Sequence, residues 1–331
     1  MFARNLIVYG TAVLTGIVLP LAGGTASAAS SAGAWPERPV RLIVPFPAGG
    51  GTDANARALA KEVETVLGQP LVIDNRGGAN GIIGADILAK ANADGYTLLH
   101  TSVAFAINPS TRKKLPFDVY RDFTPITNVV VGQGSLLAVN PGLPAKSVTE
   151  LIALAKQKQL ILSSPGIGNV LHLIAEAFSV RAGIQMQHVP YKGAGPALIA
   201  VLGGEAQVMV VPPVIATPHV QAGRLRALGY SGKKRVAALP DVPTIAEAGL
   251  AGFHQDTGWH AWFAPANAPA PVVDRIYGAI QKSLQLPKLR GFFQESGYEP
   301  TGDAPAVFQK SFREDVRRWG ELVKAAKIKP E

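Results

Sequence analysis

The feature of this sequence that most constrains its fold is the stretch VRLIVPFPAGGGTDANAR, residues 40–57. It begins with an almost continuous apolar run, which is typical of a parallel strand covered on both faces. Two prolines end that run. Gly49, Gly50 and Gly51 follow, and there the backbone can bend sharply and approach a ligand closely. This order predicts a strand, a tight loop and the start of a helix.

Thr52 and Asp53 are residue types that favour the N-cap, and apolar residues then recur at helical spacing. Free N–H groups and the positive end of a helix would meet at this loop, which makes it a candidate site for a small anion. The glycines do not match the dinucleotide or nucleotide-phosphate loops. A plain connection between strand and helix stays an alternative, and a lone Asp53 is more typical of a cap than of a general acid.

The first 28 residues predict a signal peptide. Arg4 supplies a positive start, an apolar run follows, and Ala26-Ser27-Ala28 matches the small-x-small cleavage pattern. We therefore expect an exported, periplasmic protein cleaved after Ala28, which leaves 331 − 28 = 303 residues, enough for two domains.

Composition narrows the function further. With 47% hydrophobic and 17% charged residues the chain is expected to be globular, and without cysteine it has no disulfide or thiolate metal site. The formal charge of +9 falls to +8 without Arg4. Since the basic residues are dispersed and not interleaved with aromatic ones, we expect no nucleic-acid partner, whereas an acidic small solute is compatible.

Strand and helix patterns alternate along the chain, so the fold class is predicted as α/β, with two mixed sheets. Two β-rich segments, 124–140 and 253–264, are predicted to cross between the sheets. The resulting two-lobed, hinged architecture places lobe 1 at residues 35–132 and 256–331 and lobe 2 at residues 133–255. Ligands of open parallel sheets bind at the carboxyl ends of the strands.

Several strand ends carry groups suited to ligand recognition. Ser102 ends the third predicted strand, and the loop from Ser164 to Asn169 offers hydroxyl, amide and backbone donors at a helix start. That loop could equally be a plain connection. Lys192, at another strand end, could pair with a ligand carboxylate or with an internal acid, and the sequence does not decide between them.

Signs of catalysis are weak. The six histidines show no metal-ligand spacing, and neither H-E-x-x-H nor G-x-S-x-G occurs. We expect no enzyme, no cofactor and no metal. His172 is interpreted as a helix residue with a structural hydrogen bond, and Trp259 and Trp262 as core residues rather than cleft residues.

A set of segments, in order along the mature chain, resembles the receptors of tripartite tricarboxylate transporters, also called Bug proteins. The segments are PVRLIVPFPAGGGTD, DNRGGANG, DGYTLL, AINPS, KKLPFD, PAKSV, HVPYKG, GRLRALG and LPDVPTIAEAG. The resemblance implies a periplasmic binding protein of the two-lobed, hinge-closing type. It implies capture of a small carboxylate or related polar solute, and its delivery by a monomer to membrane permease subunits.

The resemblance also implies where the ligand binds. The family's contacts come largely from the opening loop, the end of the third strand and the turns of the second lobe. The predicted ligand-binding residues are Gly50, Gly51, Thr52, Asp53, Ser102, Ser164, Gly166, Gly168, Asn169, Lys192 and Gly193. Two departures affect the ligand-specific side of the pocket: Val211-Pro212 replaces a common polar pair, and Asn169 stands where Ser or Thr is common.

Two functions of other classes stay open at this point. One is a sensing subunit whose closed form docks on a membrane kinase, which the same fold would serve. The other is an exported enzyme that uses the glycine loops for an anionic substrate, which the lack of a catalytic constellation disfavours.

Overall fold

A computed structural model describes residues 35–325 and residue 330, so the predicted signal peptide lies outside the described residues. The strands in chain order are β1 (Val40–Val44), β2 (Leu71–Asn75), β3 (Thr97–Ser102), β4 (Phe123–Gly132), β5 (Leu136–Val139), β6 (Ile161–Ser164), β7 (Gln187–Pro190), β8 (Val208–Val211), β9 (Arg226–Tyr230), β10 (Gly258–Pro265) and β11 (Tyr298–Pro300).

Helices alternate with these strands. They are α1 (Gly51–Leu67), α2 (Ile82–Ala89), α3 (Ala104–Thr111), α4 (Val148–Gln157), α5 (Val170–Ala182), α6 (Ala194–Leu202), α7 (Pro213–Gln221), α8 (Ala270–Leu284), α9 (Pro287–Glu295) and α10 (Pro305–Ala325). No helix within residues 35–325 combines the length and the apolar character that a membrane span requires.

The strands form two mixed sheets, which confirms the predicted α/β class. The six-stranded sheet has the order β11-β4-β10-β3-β1-β2, with β1 parallel to β2 and β3, and β10 antiparallel to β3 and β4. The five-stranded sheet has the order β7-β6-β8-β5-β9, with β6 parallel to both neighbours and β5 antiparallel to both of its own. We call the first sheet with α1–α3 and α8–α10 lobe 1, and the second with α4–α7 lobe 2.

The chain crosses between the lobes twice. The first crossing follows β4, which ends at Gly132, and the second joins Tyr230 at the end of β9 to Gly258 at the start of β10. The predicted lobe boundaries, 132/133 and 255/256, fall within these two segments and stay a prediction. The long carboxyl-terminal helices return to lobe 1, where α8 packs on α1 and α10 packs on α3.

Local sequence rules account for many of the element ends. The predicted capping box before α4 forms in part, because the Ser147 hydroxyl accepts a hydrogen bond of 3.1 Å from the Glu150 N–H. The Glu150 carboxylate reaches back one residue further than expected, to the Lys146 N–H at 2.6 Å. Three short elements, α3, α9 and β11, were not predicted, and α3 even contains a proline, Pro109.

The ring of Tyr230 fills the junction between the two crossings. It is 1% exposed. A Cβ added to Gly134 would lie 2.8 Å from the Tyr230 Cζ, and one added to Gly297 in lobe 1 would lie 2.9 Å from its hydroxyl oxygen. The ring approaches the backbone of the first crossing at Gly134 and that of lobe 1 at Gly297 so closely that only glycine fits at these two positions.

A cluster of aromatic rings fixes α10 on lobe 1. Phe312 is 1% exposed and stacks on Phe105 at a centroid distance of 5.7 Å. It also meets Phe263 of β10 at 5.4 Å and Trp259 at 5.9 Å. Trp259 and Trp262 are both buried, as predicted, and the Trp259 indole N–H donates to Asp315 of α10 at 2.8 Å.

We expect Phe312→Ala to lower the free energy of unfolding by about 3–5 kcal/mol, because the change empties a packed aromatic site. Val307→Ala is the matched control on the same helix, since Val307 is 57% exposed. The measurement is urea unfolding followed by tryptophan fluorescence. Equal effects of the two substitutions would contradict the role assigned to the aromatic cluster.

Candidate functional site

A narrow cleft lies between the lobes, at the carboxyl ends of β1, β3 and β6. The volume open to the centre of a water-sized sphere is about 50 Å³. Its lining residues come from both lobes and are Phe46, Pro47, Gly50, Gly51, Thr52, Ser102, Pro165, Asn169, Val170, Leu171, Ala194, Pro212, Thr257, His260 and Tyr298. None of these side chains is Asp, Glu, Lys or Arg, so every formal charge stays outside the lining.

Three helices start at this cleft. The first residues of α1, α5 and α6, Gly51, Val170 and Ala194, all line it. The N–H groups of a first helical turn have no acceptor inside the helix, and each helix carries a partial positive charge at this end. A cleft without acidic side chains, faced by three such ends, favours a small anion.

The start of α1 differs from the prediction in one residue-level detail. Gly50 is the N-cap, so Thr52 and Asp53 are the second and third residues of the helix rather than its cap. The reason is that the Asp53 carboxylate reaches back to accept the Gly49 N–H at 3.0 Å. The Thr52 hydroxyl has no hydrogen-bond partner among the described residues and borders the cleft.

Asp53 is held inside the protein rather than in the cleft. It is 3% exposed, and its carboxylate also accepts hydrogen bonds from Arg57 at 2.9 Å and from Asn75 at 2.9 Å. Burial raises the pKa of Asp53, but the hydrogen bonds from Arg57, the Gly49 N–H and Asn75 outweigh it and hold the pKa below its usual value. The carboxylate therefore stays ionised and fixes the loop that forms the cleft.

The lobe 1 end of the cleft is formed by Ser102, Thr257, His260 and Tyr298. The His260 Nδ1 lies 2.9 Å from the Asn55 side-chain nitrogen of α1. Burial lowers the pKa of His260 to about 3, so its imidazole is neutral at neutral pH. Thr257 is 8% exposed, and its Oγ1 has no hydrogen-bond partner in residues 35–325.

The structure brings together five of the predicted site residues in the cleft and leaves the others at its edge or behind it. Those in the lining are Gly50, Gly51, Thr52, Ser102 and Asn169. Asn169 is also the N-cap of α5, and its side-chain nitrogen donates to Asn80 of lobe 1 at 3.1 Å. Asn169 thus joins the two lobes.

Gly166, Lys192 and Gly193 line an adjoining pocket of about 210 Å³ by the same measure, which shares Phe46 and Pro165 with the cleft. Lys192 is exposed and forms no ion pair within the described part of the chain. The sequence left open whether Lys192 pairs with a ligand carboxylate or with an internal acid. Within the described residues, no internal acid pairs with it.

Ser164 and Gly168 contact a pair of stacked histidines behind the cleft and line neither pocket. The Ser164 hydroxyl lies 2.5 Å from the His188 Nε2, and the rings of His188 and His172 stack at 4.0 Å. The Gly168 N–H donates to the His172 Nδ1 at 3.3 Å, the structural hydrogen bond predicted for this histidine. These contacts hold the loop before α5 in place.

Sequence analysis missed Thr257, His260 and Tyr298. Strand β10 was predicted. That its His260 contacts α1, however, follows from the strand order β4-β10-β3-β1, which the sequence pattern does not give. Tyr298 belongs to β11, whose three residues are too few for a periodic pattern. Pro212, one of the two departures noted in the sequence, packs across the cleft against Gly51.

Residues 55–328 match the model of the tripartite tricarboxylate transporter family receptor. The chain belongs to this family. The predicted family is therefore confirmed, and this TctC-type chain is a solute-binding receptor rather than an enzyme. Within the described residues, no group of three or more histidine or carboxylate side chains is placed to hold a metal ion.

Solved structures agree with this family and with the two-lobed fold. The periplasmic binding protein BugD is 34% identical, with 90% of this chain and 100% of BugD covered and a TM-score of 0.85. An R. palustris protein solved with adipate is 33% identical, with coverage of 90% and 100% and a TM-score of 0.85. MatC from Rhodopseudomonas palustris, solved with malate, is 30% identical, with coverage of 87% and 100% and a TM-score of 0.79.

The half-buried His188 and the buried His260 predict how the stability of the TctC-type chain depends on pH. Burial lowers the pKa of His188 to about 4, helped by the neighbouring His172, and that of His260 to about 3. An unfolded histidine titrates near 6.5. Between these values the unfolded chain binds more protons, so the free energy of unfolding should fall as the pH drops from about 6.5 towards 4.

The measurement is urea unfolding at several pH values between 5 and 7.5, above the range in which carboxylates titrate. Each such histidine contributes a slope of at most about 1.4 kcal/mol per pH unit. His188→Gln should reduce the total slope, because glutamine does not titrate. An unchanged slope in His188→Gln would contradict the lowered pKa of His188.

Proposed function

We propose that this chain is a periplasmic receptor that binds a small organic acid in the cleft between its lobes and delivers it to a membrane permease of the tripartite tricarboxylate type. The observation that carries the proposal is the convergence of three helix N-termini on a cleft without charged side chains. The adipate and malate bound in two similar proteins support a carboxylate as the ligand.

The proposed ligand-binding residues are those that reach the cleft or its adjoining pocket. Gly50, Gly51 and Thr52 offer the first N–H groups of α1 and one hydroxyl, and Ser102 offers a second hydroxyl. Asn169 closes the cleft from lobe 2, and Gly166, Lys192 and Gly193 border its outer pocket. Asp53, Ser164 and Gly168 are proposed to support these residues from behind through their internal hydrogen bonds.

Export and domain organisation complete the proposal. Cleavage after Ala28 and a periplasmic location are supported by the sequence of residues 1–28 and by the periplasmic relatives. Lobe 1 is proposed as residues 35–132 and 256–331, and lobe 2 as residues 133–255.

Pull-down of the closed, ligand-loaded monomer with permease subunits in detergent tests the membrane partner, and loss of capture without ligand is the expected result.

We expect Thr52→Ala to weaken binding of the acid about tenfold. The lost hydrogen bond to a carboxylate contributes about 1.5 kcal/mol, and about 1.4 kcal/mol corresponds to a factor of ten in affinity. Stability should stay nearly unchanged, because Gly50 rather than Thr52 is the N-cap of α1. Isothermal titration and unfolding of the ligand-free protein measure the two quantities.

Thr65→Ala is the matched control for this experiment, since Thr65 lies on the exposed face of the same helix. It should leave the affinity unchanged. The protein is first unfolded and refolded to remove any co-purified solute, and then titrated with acetate, lactate, 3-hydroxypropionate, malonate, malate, succinate and adipate. Absence of binding by every acid would defeat the proposed function, and equal affinities of Thr52→Ala and Thr65→Ala would remove Thr52 from the site.

A further inference from the structure

The polar groups at the lobe 1 end of the cleft are all uncharged, which bears on the kind of acid that fits. Ser102, Thr257, His260 and Tyr298 form this end. The Thr257 Oγ1 is buried against Gly132 and is not accessible from the cleft, so Thr257 lines the cleft with its other atoms.

Asn55 determines which proton His260 carries. The Asn55 side chain is fully buried, and its amide nitrogen lies 2.9 Å from the His260 Nδ1. With the amide nitrogen on this side, Nδ1 accepts and the proton of the neutral ring resides on Nε2, while the buried Asn55 Oδ1 has no hydrogen-bond partner among the described residues. The Nε2–H has no partner among the described residues and is left as a donor for the cleft.

The distribution of charge sets a limit on the ligand. One carboxylate can be stabilised by the N-termini of α1, α5 and α6, but no Lys or Arg lines the cleft itself for a second one, since Arg112 and Lys192 line the adjoining pocket. A buried carboxylate without a cation loses its hydration without full compensation. A neutral hydroxyl or carbonyl oxygen has no such penalty and can accept a hydrogen bond from the His260 Nε2–H.

The size of the cleft points in the same direction. A buried water requires about 10–15 Å³ by this kind of measure, so about 50 Å³ corresponds to roughly three to five water positions. A compact acid of a few carbon atoms fits such a space, whereas a long dicarboxylate would have to extend into the adjoining pocket of about 210 Å³ or require the lobes to stand further apart.

We propose that the ligand is a short-chain monocarboxylate that also carries a neutral hydroxyl or carbonyl oxygen, which the His260 Nε2–H recognises. Asn55 is the positioning residue that orients the His260 ring and fixes its tautomer. This inference rests on the proposed function and specifies the substrate class of the same cleft.

Four acids with the same three-carbon chain test the substrate class. 3-Hydroxypropionate carries the neutral oxygen, propionate lacks it, and malonate replaces the alcohol carbon by a second carboxylate; lactate places the hydroxyl nearer the first one. In isothermal titrations of refolded protein, we expect one of the two hydroxy acids to bind about tenfold or more tightly than both propionate and malonate.

Variants test the residues through the ratio of affinities, which is insensitive to a partial loss of folded protein. His260→Phe should abolish the preference for the hydroxy acid over propionate, while His260→Gln, which keeps a side-chain donor, should retain part of it. Asn55→Leu should weaken the preference at every pH, because the ring can then also carry its proton on Nδ1 and lose the Nε2–H donor. Thr52→Ala should instead weaken all the acids by the same factor.

The results separate this inference from the proposed function. Tighter binding of malonate, malate, succinate or adipate than of either hydroxy acid overturns the substrate class and leaves the receptor function intact. A preference that survives unchanged in His260→Phe overturns the role of His260. Absence of binding by every acid overturns both the inference and the proposed function.

Discussion

The hydrogen-bonded carboxylate of Asp53 is the interaction on which the site depends. It joins the Gly49 N–H, Arg57 of the same helix and Asn75 at the end of β2, and Asn75 in turn donates to the Phe46 carbonyl at 3.0 Å. The loop between β1 and α1 is therefore fixed at both ends. Because α1 starts where this loop ends, the direction of its free N–H groups towards the cleft follows from a buried residue that does not itself touch the cleft.

Much of this architecture could be predicted because it is encoded locally. The apolar run of β1, the glycines after it and the helical spacing beyond them specify a strand, a turn and a helix without reference to the rest of the chain. The Ser147 cap of α4 is likewise determined locally, by the four consecutive residues 147–150. The repeated alternation of strands and helices, interrupted by two crossings, was enough to predict two sheets and a cleft between them.

The details of the site were less predictable because they depend on distant segments. Asp53 is a residue type that favours the N-cap, yet it lies in the first turn of α1, where its carboxylate accepts hydrogen bonds from Arg57 and Asn75. Ser164 is a residue type that often contacts ligands, but its hydroxyl forms a hydrogen bond with His188, which lies 24 residues further along the chain. His260 reaches α1 only through the order of the strands in the six-stranded sheet. The spacing of apolar residues in the sequence does not specify that strand order.

The packing of Tyr230 links the positions of the two lobes. Its ring is enclosed by the backbone at Gly134 and Gly297, one in a crossing and one in lobe 1. Moving one lobe away from the other would expose this ring to water. A side chain added at either glycine would therefore shift the lobes relative to each other without touching a single group in the cleft.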